Sequence, residues 1–308
     1  MQATNEPPLN PARYTISVAA TGFGDDGGQR RATERTGRRL PRRSTRCCDA
    51  RMDRRGVLAA FDEQVRRSPA SEPGSLVEED VHVVRAVASG EGWSGVTWSD
   101  LAGADVDAVI AAKVDRFAAA GQPWEWKLYS YDQPSILPER LRVAGLVPDE
   151  AEALMVAEIT DLDLAVPAPE GLELVQVVDE GGVAALVQVH DRVFGGDHAA
   201  MGRAVLAGLM RQPPSVEAVF AVAGAEPVAA GRVNFHEGTD FASLWGGGTI
   251  PAWRGRGLFR SLVSHRAAVA ARRGFRYLQV DASPDSRPIL QRLGFIELAT
   301  TTPYTLQK

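Results

Sequence analysis

Residues Trp253-Arg254-Gly255-Arg256-Gly257-Leu258-Phe259-Arg260 constrain this chain more than any other stretch of it. They follow an apolar, strand-like run that ends Gly248-Thr249-Ile250-Pro251. They open a segment in which Leu258, Leu262 and Val269 share one helical stripe, with Phe259, Val263 and Ala270 beside it. A glycine-rich turn therefore joins a strand to a helix N-terminus. Such a turn offers free backbone N–H groups and the positive end of the helix dipole, a natural seat for phosphate. Gly255 and Gly257 allow positive φ and a close approach of backbone to ligand. Arg254 and Arg256 add charge that can pair with phosphate oxygens. Arg-Gly alternation also occurs in disordered nucleic-acid-binding segments, so the turn alone leaves two readings open.

The residues downstream separate them. The helical pattern over 258–273 ends at Gly274, a C-cap residue. Tyr277-Leu278-Gln279-Val280-Asp281-Ala282 alternates like a strand, and a short helix over 285–292 leads into Leu293-Gly294-Phe295 and a closing run to Leu306. Turn and Leu-Gly-Phe, in this order and at this spacing, resemble two hallmarks of the GNAT superfamily of acyl-CoA N-acyltransferases. In that superfamily's Gln/Arg-x-x-Gly-x-Gly/Ala pattern, Arg254 fills the first position and Gly257 the fourth. Phe259 stands sixth, where Gly or Ala is usual, and is expected to tighten the space near the pyrophosphate.

The resemblance implies an α/β fold of the α+β type, a mixed central sheet flanked by helices. It implies acetyl-CoA as co-substrate, its pyrophosphate held by Arg254, Gly255, Arg256, Gly257, Leu258 and Phe259, and its pantetheine arm lying along Gly248, Thr249 and Ile250. Three successive glycines, 246–248, inside a strand point the same way, because they mark a bulge or a close ligand. The chemistry implied is attack of an amine on the thioester carbonyl, with a base to take its proton and an acid for the leaving thiolate. Aligned on Leu-Gly-Phe, the superfamily's usual Tyr acid falls on Leu290, which has no proton to give, and its Asn falls on Ser283. Ser283 and Ser286 are candidates to hydrogen-bond the cofactor, and equally helix N-caps. Asp281 and His236 are the base candidates, with Asp240 and Tyr304 behind them. His236 and Asp240 also read as the two ends of a hairpin turn around Glu237-Gly238-Thr239. Trp124, Trp126 and Trp245 are candidates to line an acceptor pocket, though large aromatics usually belong to the core.

Upstream of the turn the pattern divides. A helical stretch at 56–69 and a polar connector at 73–79 precede strands at 81–87 and 95–98. A helix over 104–120, a strand at 124–131, a helix at 135–144 and a strand at 151–159 follow. Residues 161–170, with Pro167 and Pro169, read as a linker. From Leu172 come a strand, helices near 181–194 and 198–211, and strands at 217–223, 227–236 and 241–250. Strand, short helix, Gly-plus-apolar and strand recur in both parts, around Gly145-Leu146 and Gly294-Phe295. The expected organisation is a leader over 1–55, a degenerate GNAT-like half over 56–160, and a catalytic half over 171–308. The first half lacks an Arg-x-x-Gly-x-Gly turn and is expected to bind no acetyl-CoA. Its role would be structural, with Trp124, Trp126 and Tyr129 shaping one wall of the acceptor cleft.

Charge narrows the function classes. Twelve arginines against six acids give residues 1–55 a charge of +6 and leave −11 on residues 56–308. An acidic body argues against nucleic acid and suits a basic, amine-bearing small molecule. Both cysteines, Cys47 and Cys48, lie in the leader, so the rest of the chain holds no thiol nucleophile, disulfide or cysteine metal ligand, and a cytoplasmic home is expected. No apolar run reaches membrane-spanning length. The leader lacks apolar periodicity and is expected to be disordered, with Met52 serving as the start. Three classes remain: an N-acetyltransferase acting on a small amine, a non-catalytic acyl-CoA-binding protein, and, least favoured, a nucleic-acid-binding protein.

Overall fold

The computed structural model describes residues 52–70, 75–88, 92–121 and 123–306. The leader up to Arg51, with Cys47 and Cys48, lies outside them. Helix α1 (Arg54–Phe61) starts inside the stretch assigned to the leader and runs into a π-type turn over Asp62–Arg66. Then come β1 (Ser75–Glu79), β2 (Val83–Ala88), β3 (Gly95–Ser99), α2 (Val106–Ala120), β4 (Glu125–Tyr129), α3 (Leu137–Val143), β5 (Leu146–Pro148) and β6 (Glu152–Glu158). The second part holds β7 (Glu173–Gln176), α4 (Glu180–Phe194), α5 (Ala199–Leu209), β8 (Val216–Ala223), β9 (Glu226–Phe235) and β10 (Phe241–Thr249). It ends with α6 (Leu258–Arg272), β11 (Tyr277–Ala282), α7 (Arg287–Arg292) and β12 (Ile296–Leu306).

Expectation and structure part at β1, which stands where the sequence pattern predicts a polar connector. Glu78 and Glu79 hide the strand in the sequence. Glu78 is paired with Arg85 on β2 and with Arg116 on α2, and β1 is the outermost strand, where charges are common.

The strands form one twelve-stranded mixed sheet in the order β1-β2-β3-β4-β12-β6-β11-β10-β9-β8-β7, with β5 pairing to β12. Two pairs are parallel, β3 with β4 and β10 with β11. Each is the two-strand product of a strand–helix–strand unit, through α2 in the first part and α6 in the second. The centre of the sheet is exchanged between the parts. β6, from the first, lies between β12 and β11, and β12, from the second, lies between β4 and β6.

Side-chain alternation assigns the helices to faces. Ala153, Met155, Ala157, Leu278, Val280, Ala242 and Leu244 face α6 and α7. Trp126, Leu128 and Tyr304 continue that face under α2 and α3. Leu154, Val156, Tyr277, Phe241 and Tyr129 point the other way, where Val57 and Phe61 of α1 cover them. Farther along, α4 and α5 cover the same face over β8 and β9. Trp124 and Trp126 therefore do not line a cleft. Trp126 is wholly buried beneath the helices, and Trp124 stacks on Phe117 of α2 at 4.4 Å. Glu125, Lys127 and Tyr129, their strand neighbours, point to the opposite face, where Tyr129 lies under Phe61 of α1.

Residues 162–170 form neither helix nor strand but are fastened. Ser261 Oγ donates to Pro167 O and Ser264 Oγ to Asp163 O, each at 2.6 Å, so the segment lies along α6.

Candidate active site

The turn before α6 has the conformation that its glycines permit. Gly255 has φ 76° and Gly257, the N-cap of α6, has φ 88°, and no side chain caps the helix. The first-turn N–H groups have no partner inside a helix by its geometry, so here they face outward unclaimed by a cap. A Cβ added at Gly255 would meet nothing within 4 Å, which leaves the turn open on that side. Arg254 folds back, its Nε donating to Thr249 O at 3.0 Å, and the Arg256 guanidinium lies over the Trp253 ring at 4.5 Å. Leu258 and Phe259 are buried. Phe259 packs with Val263 and Ala267 in the core under α6, so the ring does not stand over the turn as expected. Helical spacing turns it inward.

The corresponding turn of the first part is closed. Asp105 caps α2, its Oδ1 accepting from Ala108 N at 3.1 Å, so a carboxylate already sits where an anion would bind.

Beside the open turn the sheet splits. β10 and β11 pair only at Phe241↔Tyr277, Ala242↔Leu278 and Ser243↔Gln279; beyond Ser243 the two parallel strands diverge into a wedge. A bulge between Trp245 and Gly248 shifts the register of β10 against β9. Gly246, at φ 56°, forms it, and its carbonyl accepts from His190 Nε2 of α4 at 2.7 Å. A Cβ at Gly248 would come within 2.9 Å of Val193 and 3.1 Å of Phe194. The glycine run thus answers both to the bulge and to the close approach of α4.

Ile250 donates its N–H to Val228 O at 2.9 Å and accepts from Trp253 N at 2.8 Å, so both its backbone groups are used within the fold. Neighbouring residues of an antiparallel strand point to opposite edges, so the Thr249 N–H is turned toward the wedge. Ser283 and Ser286 are buried and bond chiefly to each other at the start of α7, with Ser286 N donating to Ser283 Oγ at 3.3 Å and the two hydroxyls 3.2 Å apart. Leu290 is wholly buried in the core on the α6 side.

The two base candidates are joined by hydrogen bonds. Ser243 Oγ donates to Gln279 Oε1 at 2.6 Å, so it accepts from His236 Nε2 at 2.7 Å. Gln279 Nε2 donates to Asp281 Oδ1 at 3.0 Å, and Lys127 Nζ pairs with Asp281 Oδ2. Burial pushes the His236 imidazole down to about 4, so it is neutral at pH 7. Burial pulls Lys127 down too, but Asp281, with Tyr129, Glu152 and Glu125, outweighs it and raises the ammonium above the ordinary lysine range. Burial likewise pushes the Glu125 carboxyl up, against the pull of Lys127. Asp240 instead ties the β9–β10 turn to the region after α1 through Gln64, and Tyr304 lies in the first part's core.

Sequence reading passed over Glu125, Lys127 and Thr301. Thr301 is wholly buried on the face of β12 that it shares with Ala299, and its Oγ1 has no hydrogen-bond partner among the described residues. One signal was present. Two charged residues flank Trp126 in a strand, so one face of that strand is apolar and the other charged.

Residues 171–295 match the family model for the acetyltransferase (GNAT) family. They are a GNAT-family domain. Solved structures extend the likeness in fold to most of the chain. A GCN5-related N-acetyltransferase from Kribbella flavida superposes with a TM-score of 0.62 at 18% identity, covering 83% of this chain and 96% of its own. A functionally unknown conserved protein from Staphylococcus epidermidis gives 0.58 at 13%, covering 80% and 97%. A tandem GNAT protein from the clavulanic acid biosynthesis pathway gives 0.53 at 15%, covering 77% and 84%. No curated protein gives a significant match. Among the described residues no group of His, Cys, Asp and Glu could hold a metal ion, and no helix is long and apolar enough to cross a membrane.

Proposed function

We propose that this GNAT protein is an N-acetyltransferase that moves an acetyl group from acetyl-CoA to a primary amine of a small molecule. The observation that carries the reading is the uncapped, glycine-built N-terminus of α6 standing next to the split between β10 and β11. The residues present fit acetyl-CoA. The turn 254–258 would take the pyrophosphate on backbone N–H groups, and the wedge edge at Gly248 and Thr249 would take the pantetheine amide. Bound there, acetyl-CoA supplies an activated acyl carbon.

The chain's own groups do the rest. Asp281, at the mouth of the wedge, accepts a proton from the acceptor ammonium. As the amine nitrogen bonds to the acyl carbon the carbon–sulfur bond would break; the nitrogen would release its second proton to solvent and the thiolate would take one from solvent, since Leu290 offers none. His236 supports the Asp281 carboxylate through Ser243 and Gln279. Glu152 and Asp281 against Lys127 make this region acidic, which favours cationic amines over anionic acceptors. The first half takes no acetyl-CoA of its own, because Asp105 fills the end of α2.

A second reading, acyl-CoA binding without turnover, is favoured by Leu290 alone. Calorimetry with acetyl-CoA, followed by release of CoA in the presence of mixed amines, separates the two. Binding should show one site per chain and vanish in Gly257→Glu, where φ 88° strains any side chain and a carboxylate faces the diphosphate. Unchanged affinity in a folded Gly257→Glu protein, or a second surviving site, would refute the assignment.

A further inference from the structure

The Lys127–Asp281 pair joins strands that are not neighbours. β12 and β6 lie between β4 and β11, so on a flat sheet the strands would stand three spacings apart, roughly 14 Å. That is more than the two side chains span, so the sheet curls here and brings the parts face to face. Both groups are enclosed, with side-chain exposures of 14% for Lys127 and 3% for Asp281.

The pair stands at a particular place. Asp281 lies two residues beyond Gln279, and Trp245 lies two beyond Ser243, the last residues at which β10 and β11 still pair. Lys127 Nζ is 5.4 Å from the centre of the Trp245 ring. The ammonium thus lies against side chains of both diverging strands, Asp281 of β11 and Trp245 of β10. A buried ion pair contributes little to stability on balance, because desolvation offsets the attraction, so its position calls for another account.

We propose that Lys127, delivered by the first half, is a positioning residue for acyl transfer, fixing the Asp281 carboxylate at the mouth of the wedge so that neither half alone completes the site. One carboxylate oxygen is held by Lys127 and the other by Gln279, which leaves the remaining lone pairs directed by two anchors on opposite walls. The other groups facing the pair are Glu125 and Tyr129 of β4, Glu152 of β6 and Trp245 of β10, with Asp149 acting on Glu125 and His236 at the far end of the hydrogen-bonded chain. Among the residues bonded to Asp281, Lys127 alone is cationic. The inference rests on the acetyl-transfer reading given above.

The test compares Lys127→Met, Lys127→Gln and Lys127→Arg with the wild-type chain. Acetyl-CoA affinity is measured by calorimetry, and CoA release, with amines and by hydrolysis, is followed from pH 5 to 10. Acetyl-CoA binding should persist in all three, since the turn 254–258, which takes the pyrophosphate, is not touched by Lys127. Loss of the cation should move the acid limb of kcat/KM upward by about one to three pH units in the Met and Gln variants. The Arg variant should stay near the wild type. Gln guards against a misfolded Met variant, because it keeps a hydrogen bond to Asp281 without the charge. An acid limb that does not move, or a uniform loss at every pH that Arg fails to rescue, overturns the proposal and leaves acetyl transfer standing. Wild-type binding without any CoA release overturns the catalytic reading and this proposal with it. No acetyl-CoA binding at all overturns the assignment of the turn as well.

Discussion

Gly246 forms the bulge of β10 against β9, and replacing it with alanine gives a result that can be calculated in advance. Its φ of 56° costs an L-residue about 1–2 kcal/mol. The new Cβ would lie 2.7 Å from His190 Nε2 and 2.8 Å from His190 Cε1, with Arg232 Nη1 at 3.1 Å. His190 has nowhere easy to go. It is fully buried, with Phe194 at 5.4 Å and His198 at 5.7 Å between ring centroids. Displacing it breaks the 2.7 Å bond to the Gly246 carbonyl, and a buried group left unsatisfied costs about 1–3 kcal/mol. Together these give a loss of about 2–5 kcal/mol, or roughly 5–20 °C in melting temperature for a fold of this size. Gly224→Ala supplies the control. Gly224 has φ 63° but nothing within 4 Å of an added methyl, so only the conformational part applies, about 1–2 kcal/mol. Scanning calorimetry of both variants, followed by acetyl-CoA titration, decides the matter. If Gly246→Ala melts within two or so degrees of Gly224→Ala, the close packing of α4 on the bulge is not what the glycine serves.

Acid should weaken the fold in a defined window. Burial pushes His190 down to about 3 and His236 to about 4, so both depressed rings add stability above their unfolded value near 6.5, and it is lost as pH falls. By pH 5 the loss is about 2 kcal/mol per ring, and His190→Asn should flatten the fall in melting temperature between pH 6.5 and 5. A chain beginning at Met52 should match the full chain in melting temperature and acetyl-CoA affinity, because Met52 already packs against the core under α1; a drop of several degrees would show that residues 1–51 contribute to the fold.

The local features of the site were legible in the sequence and the long-range ones were not. Gly255, Gly257 and the run Gly246-Gly247-Gly248 announce their backbone requirements within a few residues, so the turn and the irregular strand could be read directly. The alternation Glu125-Trp126-Lys127-Leu128-Tyr129 was visible too, but periodicity does not say which face of a strand meets the core. The tryptophans drew attention to themselves and proved to lie under α2, whereas the charged residues of the other face, enclosed as well, carry the ion pair. Lys127 and Asp281 are 154 residues apart and meet only because the sheet curls and two central strands change places. No local pattern encodes that. Phe259 shows the opposite error, since its helical phase with Val263 and Ala267 already directed it inward, away from the turn it was expected to crowd.

The exchange of β6 and β12 ties these points together. Each part builds its own parallel strand pair and then closes the sheet of the other, so the edge of β11 is satisfied by residues 153–158 and the edge of β4 by residues 301–305. Strand edges left open would expose a row of unpaired N–H and C=O groups, and such edges recruit other chains. The first half, whose own helix turn is capped by Asp105, is therefore a physical requirement of the half that carries the open turn. The same exchange fixes the spacing between β4 and β11. Glu125 and Lys127 can sit opposite Asp281 only while β12 and β6 hold the curl between them, and a change at Leu154 or Ala299, which pair across that seam, bears on the charge cluster as directly as a change within it.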